Sequence, residues 1–298
     1  MKTMISDKCG IIGAGRLGSA IAQAMTQAGY NFIWVGSKNN DEAGELAEKI
    51  GCKNFGTSFA SISVKPELII ITVPDSSIAA ISSQAVSSGI IGDKTIVLHT
   101  SGVHNSDILK DCREAGASVA AFHPCQTVTF SSNPQEVFRN IIFDMEGDNA
   151  ACQAGEQIAQ KLGAEAIRLD PEARLLTHTA MTILSNYTVS LYEAAENLLE
   201  SSGIGQENSR KMLNPLLSAT VGNIIKLGPH KALTGPVSRG DSETVEKHLK
   251  VLNKFDKIYG EIYSDLGRMT LSMISDKIPR EDYEKLEKYL NSFQENRG

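Results

Sequence analysis

The run Gly13-Ala14-Gly15-Arg16-Leu17-Gly18 limits what this chain can fold into more than any other stretch. It follows the apolar residues Cys9-Gly10-Ile11-Ile12 and leads into the alanine-rich Ser19-Ala20-Ile21-Ala22-Gln23-Ala24-Met25, which reads as strand, tight turn and helix. Gly13 lets the backbone turn, Gly15 lets a diphosphate approach without meeting a Cβ, and Gly18 lets the helix pack closely on the strand. The N–H groups that open such a helix, at Arg16 and Leu17, lack partners within it and favour an anion. A second apolar strand, Asn31-Phe32-Ile33-Trp34-Val35, follows at the distance a βαβ unit requires.

The chain has 298 residues, so two domains are expected. With 41% hydrophobic and 21% charged residues it has the composition of a soluble globular protein. A net charge of -6 argues against nucleic acid and anionic membranes as partners. Cys9, Cys52, Cys112, Cys125 and Cys152 form no C-x-x-C pair, the pattern of free thiols in a reducing compartment. Met1 to Lys8 contain no apolar segment of the kind a secretory signal needs, and no run suggests a membrane span. A cytoplasmic location is expected.

The first half alternates strands and helices. After the second strand comes Gly36-Ser37-Lys38, where a Rossmann site selecting NAD usually carries Asp or Glu against the ribose 2′-hydroxyl. A small residue, a hydroxyl and a cation suit a 2′-phosphate, so Ser37 and Lys38 favour NADP; Asp41 keeps NAD open, although capping the helix Glu42 to Ile50 is its simpler use. Leu68 to Val73 is an unbroken apolar run, as in strands buried on both faces, and it stops at Val73-Pro74, expected beside the cofactor. Strands ending in His99-Thr100-Ser101-Gly102 and His123-Pro124 discharge polar groups at the edge where open α/β sheets bind ligands. A strand over Asn140 to Met145, a helix over Ala150 to Leu162 and a short strand over Ala164 to Leu169 complete an N-terminal Rossmann domain, residues 1–170. It is expected to be a doubly wound, mostly parallel α/β sheet.

Residues 171–298 read as an all-α domain for substrate binding and dimerisation. Helices are predicted over Glu172 to Glu200, Gln206 to Leu227, Glu243 to Leu266 and Arg280 to Phe293. The first would be about 45 Å long and is apolar around much of its girth, which predicts burial on several sides. A homodimer packed through this domain is expected, because so few helices cannot cover that one alone.

Hydride transfer asks the protein for positioning, for a group that handles the substrate's proton and for donors to its charge. Ser101 and His123 follow strand ends; His178, Thr182 and Asn186 share one helix face; Arg239, between glycines and prolines, can fork onto a carboxylate. Plainer roles exist for each: a turn for His123, a satisfied core position for His178, a helix bridge for Asn186, an ion pair with Asp241 for Arg239. No ligand spacing supports a metal at His99, His123 and His178, and none is expected.

Gly13 to Gly18, Val73-Pro74-Asp75, His99 to Gly102, His123-Pro124-Cys125-Gln126-Thr127, Ser185-Asn186-Tyr187 and Leu233 to Asp241 together resemble the Rossmann-like proteins that carry a C-terminal domain of unknown function 2520. The resemblance covers nearly the whole chain and implies an NADP-dependent oxidoreductase without supplying a substrate; with the residues above, hydride transfer with a small, anionic carbonyl, hydroxyl or imine compound is expected. The wider group includes pyrroline-5-carboxylate reductase and prephenate dehydrogenase. The latter is similar in its Ser-Gly and His-Pro segments, which implies that Ser101 and His123 work on the substrate hydroxyl and that Arg239 binds a carboxylate. Two departures stand out: Cys125-Gln126-Thr127 replaces the Met-Ala-Gly usual in prephenate dehydrogenase, and Thr182 and Ile183 occupy the turn where hydroxyisobutyrate dehydrogenases carry a catalytic lysine. The missing lysine leaves open an NADP-binding sensor or scaffold without catalysis; a separate alternative keeps the dehydrogenase fold but takes its hydride from reduced deazaflavin.

Overall fold

In the computed structural model, which describes residues 8–62 and 64–295, the glycine run sits at the point where the sheet changes direction. Residues 1–7, on which part of the leader expectation rests, lie outside the described residues. Strand β1 (Cys9–Ile12) leads through the turn into α1 (Arg16–Gln27), β2 (Phe32–Gly36), α2 (Asn40–Lys49) and the two-residue β3 (Phe55–Gly56). The chain then returns to the other side of β1 with β4 (Leu68–Ile71), α3 (Asp75–Ser87), β5 (Ile96–His99), α4 (Lys110–Glu114) and β6 (Ser118–Pro124). Strand β7 (Ile142–Gly147), α5 (Asn149–Lys161) and β8 (Glu165–Arg168) close the sheet, whose order is β3-β2-β1-β4-β5-β6-β7-β8. The switch between β1 and β4 opens the crevice in which doubly wound sheets take ligands. All neighbours are parallel except β6 and β7.

Strand periodicity explains how the sheet is covered. Leu68 and Ile70 of β4 join Ile11, Leu98 and Phe122 in one core with residues of α1, α2 and α5. Ile69 and Ile71 face the other way, with Ile12, Val97 and Val119, against residues of α3 and α4. A strand buried on both faces needs no polar alternation, and each such side chain contributes about 1.5–3 kcal/mol on burial.

The helices that follow are α6 (Pro171–Ser201), α7 (Gln206–Leu227), α8 (Pro229–Ala232), α9 (Ser242–Leu252), α10 (Lys257–Ser272) and α11 (Arg280–Glu295). Contacts divide the chain into two compact units, 1–187 and 188–298, so the division falls within α6. The second unit has its own core of Val237, Val245, Leu249, Leu271, Ile274, Leu286 and Leu290.

Several expectations are corrected. The single helix over Glu243 to Leu266 is two, because Asp256 accepts the N–H of Ile258 and starts α10 after a break. Strand β7 begins two residues later than expected, since Asn140 has φ 57, a left-handed conformation that ends extended structure. Asn39, not Asp41, caps α2, its side chain accepting the Asp41 N–H. Helix α6 is not buried on several sides within the chain: Leu176, Leu184 and Val189 are 73%, 75% and 71% exposed. No helix among the described residues is long and apolar enough to cross a membrane.

Candidate active site

The glycine turn is held from β4. Thr72 Oγ1 donates to the Gly13 carbonyl at 2.8 Å, and a Cβ on Gly18 would run into that carbonyl and the threonine hydroxyl. Gly13 itself has φ 111, open to glycine alone without strain. Around Gly15, by contrast, a Cβ would meet nothing within 4 Å, and no side chain caps α1 there. The turn is therefore an open cradle of backbone N–H groups at a helix start, which fits a diphosphate. Leu17 turns its side chain toward the core, so its contribution to an anion is its N–H. Arg16 is exposed, with its guanidinium carbon 5.8 Å from the Phe130 ring centroid. A cleft of about 420 Å³ runs from Gly13 and Gly15 past Val73 and Pro74 to Ser37 and Lys38.

Three strands along the same sheet edge, about 14 Å at ordinary strand spacing, His123 stands one residue before the end of β6. Because β7 is antiparallel, Asp144 lies directly opposite His123, and its Oδ2 is 2.7 Å from His123 Nδ1. Its Oδ1 accepts from Arg174 Nε at 2.8 Å. The remaining Arg174 nitrogens donate to the carbonyls of Ser101 (2.8 Å) and His104 (2.5 Å), so one guanidinium, 1% exposed, ties the start of α6 to the β5 loop. Burial alone would raise the Asp144 pKa; the His123 hydrogen bond and the charges of His123 and Arg174 outweigh it and hold the carboxyl below its ordinary value. An ionised Asp144 accepts the Nδ1 proton of His123, which leaves Nε2 of the neutral ring as the free base. Burial and the Asp144 charge push the neighbouring Cys125 thiol up to about 12, so it stays protonated.

His178 follows Arg174 by one helical turn and meets the His123 ring edge-on, with centroids 5.6 Å apart. A Cβ on Gly102 would strike His178 and come 2.9 Å from His123 Nε2, so glycine lets the β5 loop close against both rings. A cleft of about 400 Å³ opens there, lined by His123, Cys125, Gln126, Thr127, His178 and Asn186, among others.

The structure brings His123, His178 and Asn186 onto one cleft. Ser101, expected to orient the reacting oxygen, is buried in the β5 loop, where its hydroxyl accepts the N–H groups of Val103 and His104 and keeps its own hydrogen to donate. Arg239 belongs to the second unit, exposed on the turn Val237–Arg239, where Asp241 caps α9 by accepting from Thr244. His99 is fully buried; its Nδ1 accepts the Ser101 N–H, so Nε2 donates to the Asn105 carbonyl. Burial and the Arg174 charge lower its pKa to about 4. Among the described residues, the donors that do converge are His123, Cys125 and Asp144, within 4.8 Å of one another, and the cation paired with that carboxylate is Arg174. Sequence reading missed Asp144 and Arg174. The available signal was an acid in the middle of the apolar run Ile141-Ile142-Phe143-Asp144-Met145, where an unpaired charge is not tolerated.

A Rossmann-like domain model matches residues 4–124, and a model described as a domain of unknown function, DUF2520, matches residues 141–270. The chain joins a Rossmann-like domain to a DUF2520 domain. A candidate NADP oxidoreductase from Bacteroides fragilis is similar over 88% of this chain and 97% of its own, with 25% identity and a TM-score of 0.74. The Thermotoga maritima protein TM1727 is similar over 90% of this chain and 99% of its own (22% identity, TM-score 0.71). Prephenate dehydrogenase from A. aeolicus, solved with hydroxyphenyl propionate and NAD+, shares the fold over 99% of both chains at 14% identity and a TM-score of 0.58. No curated protein matches the chain in sequence.

Proposed function

We propose that this Rossmann-DUF2520 protein is an NADP-dependent oxidoreductase acting on a small, anionic carbonyl, hydroxyl or imine compound. The observation that carries the reading is the chain His123–Asp144–Arg174, which aims a histidine of fixed tautomer into a cleft on the sheet edge that also bears the glycine cradle. The likeness to the B. fragilis protein, a candidate NADP oxidoreductase by its description, supports it. Residues 1–170 carry the dinucleotide, with the diphosphate on the N–H groups around Gly15, Arg16 and Leu17, and the ribose end toward Ser37 and Lys38. A bound nicotinamide supplies or accepts the hydride.

The protein's own residues do the rest. His123 Nε2 takes the proton of a substrate hydroxyl during oxidation and returns it during reduction, while Asp144 keeps Nδ1 protonated and balances the imidazolium charge. His178 and Asn186 line the pocket, and Arg239 holds a carboxylate. Residues 171–298 form the helical substrate and dimerisation portion: α7 leaves Leu216, Val221 and Ile225 at 64%, 43% and 81% exposed, an apolar surface that a second copy would cover.

A panel of carbonyl and hydroxy acids with NADPH consumption as readout tests the activity. On any substrate found, His123→Ala is expected to abolish turnover with NADPH affinity nearly intact. Unchanged turnover would remove His123 from the proposed role.

A further inference from the structure

The end of β2 contains a steric conflict that decides where an acidic residue can stand. Gly36 is the last residue of the strand, and a Cβ there would collide with the Trp34 ring, which is 3% exposed and stacked at a tilt on Phe59 with centroids 5.4 Å apart. A carboxylate at Gly36 itself is therefore excluded by an indole that cannot move aside without emptying part of the core. The carboxylate comes from elsewhere. Glu42, in the first turn of α2, reaches back so that its Oε2 accepts from Ser37 Oγ at 3.1 Å. It borders both the cleft containing Trp34 and Ser37 and the adjoining cleft at Gly15 and Arg16, so it stands between the two halves of the cradle. Lys38 is exposed on the same rim.

Resting on the dinucleotide reading above, we propose that Glu42 sets how far the site prefers NADP over NAD, an acid displaced from the strand end onto the following helix and working there against Lys38. Its carboxylate suits a 2′-hydroxyl, which can donate to it, and opposes a 2′-phosphate, which cannot. Ser37 and Lys38 favour the phosphate. Selection between NADP and NAD is thus a balance of one ammonium against one carboxylate, and removing either charge tips it in a known direction.

Titrating the full chain with NADPH and with NADH, by calorimetry at low ionic strength, reads this directly. Glu42→Gln keeps the shape and the helix while removing the charge. The ratio of NADPH to NADH affinity is expected to rise about tenfold in that variant, and the gain to shrink as salt screens it. Lys38→Ala moves the ratio the other way. A Glu42→Gln ratio within twofold of wild type overturns the proposal while leaving the dinucleotide reading intact. Failure of the wild-type protein to bind either nucleotide overturns both.

Discussion

A carboxylate 3% exposed stays ionised only where its charge is met, and Asp144 has the Arg174 cation on one oxygen and a hydrogen bond to His123 on the other. Asp144→Asn should leave the Arg174 guanidinium buried without its counter-charge, at a cost of about 3–5 kcal/mol in chemical denaturation. It should also lower turnover by about 10²–10⁴ while the NADPH dissociation constant stays within twofold, because only the proton-handling ring loses its orientation. A parallel fall in nucleotide affinity would make the residue structural alone. His99 supplies the pH dependence. Its folded pKa of about 4 lies below the ordinary 6.5, so the unfolded chain binds the proton first as pH falls. Stability from this residue is complete above pH 6.5 and declines toward pH 4, by about 2 kcal/mol at pH 5. His99→Asn, which keeps an acceptor for the Ser101 N–H, should flatten the loss of stability between pH 7 and pH 5; an unchanged slope would assign that loss to other groups.

Elements carry the site as much as residues do. Strand β7 runs antiparallel to β6, in a register that sets Asp144 opposite His123. An apolar strand pattern has period two in either direction, so the sequence could indicate a strand there without indicating what it faces. Arg174 was hidden for a related reason: helical spacing places a charge on a face but does not say that the face is buried. The glycine turn, the strands at β1, β2 and β4 to β6, and the bounds of α7 were legible because glycine spacing and continuous apolar runs have few structural solutions. β3 was not, since two residues carry no period. Nor was the break between α9 and α10, where an apolar helical pattern continues across Asn253 to Asp256 and a side-chain cap decides the outcome. Asp256→Ala should cost about 1 kcal/mol, read as a lower thermal midpoint. No change would mean that packing alone starts α10.

At the scale of the whole molecule, the long helices pose a question of cover. Apolar side chains on α6 and α7 stand in solvent in the single chain, the surface that the proposed dimer would cover. Light scattering at micromolar protein should give the mass of a dimer, and Val221→Glu with Ile225→Glu should shift it toward monomer; wild-type protein that is monomeric throughout would rule the dimer out. Deeper than assembly lies the claim that the first unit is built around a diphosphate on the N–H groups at the start of α1. Crystals grown with NADPH test it most directly. Diphosphate density is expected within hydrogen-bond reach of the Gly15 to Leu17 backbone, beside the unfilled space at Gly15; a cradle that stays empty at saturating nucleotide, or nucleotide bound elsewhere on the chain, would rule it out.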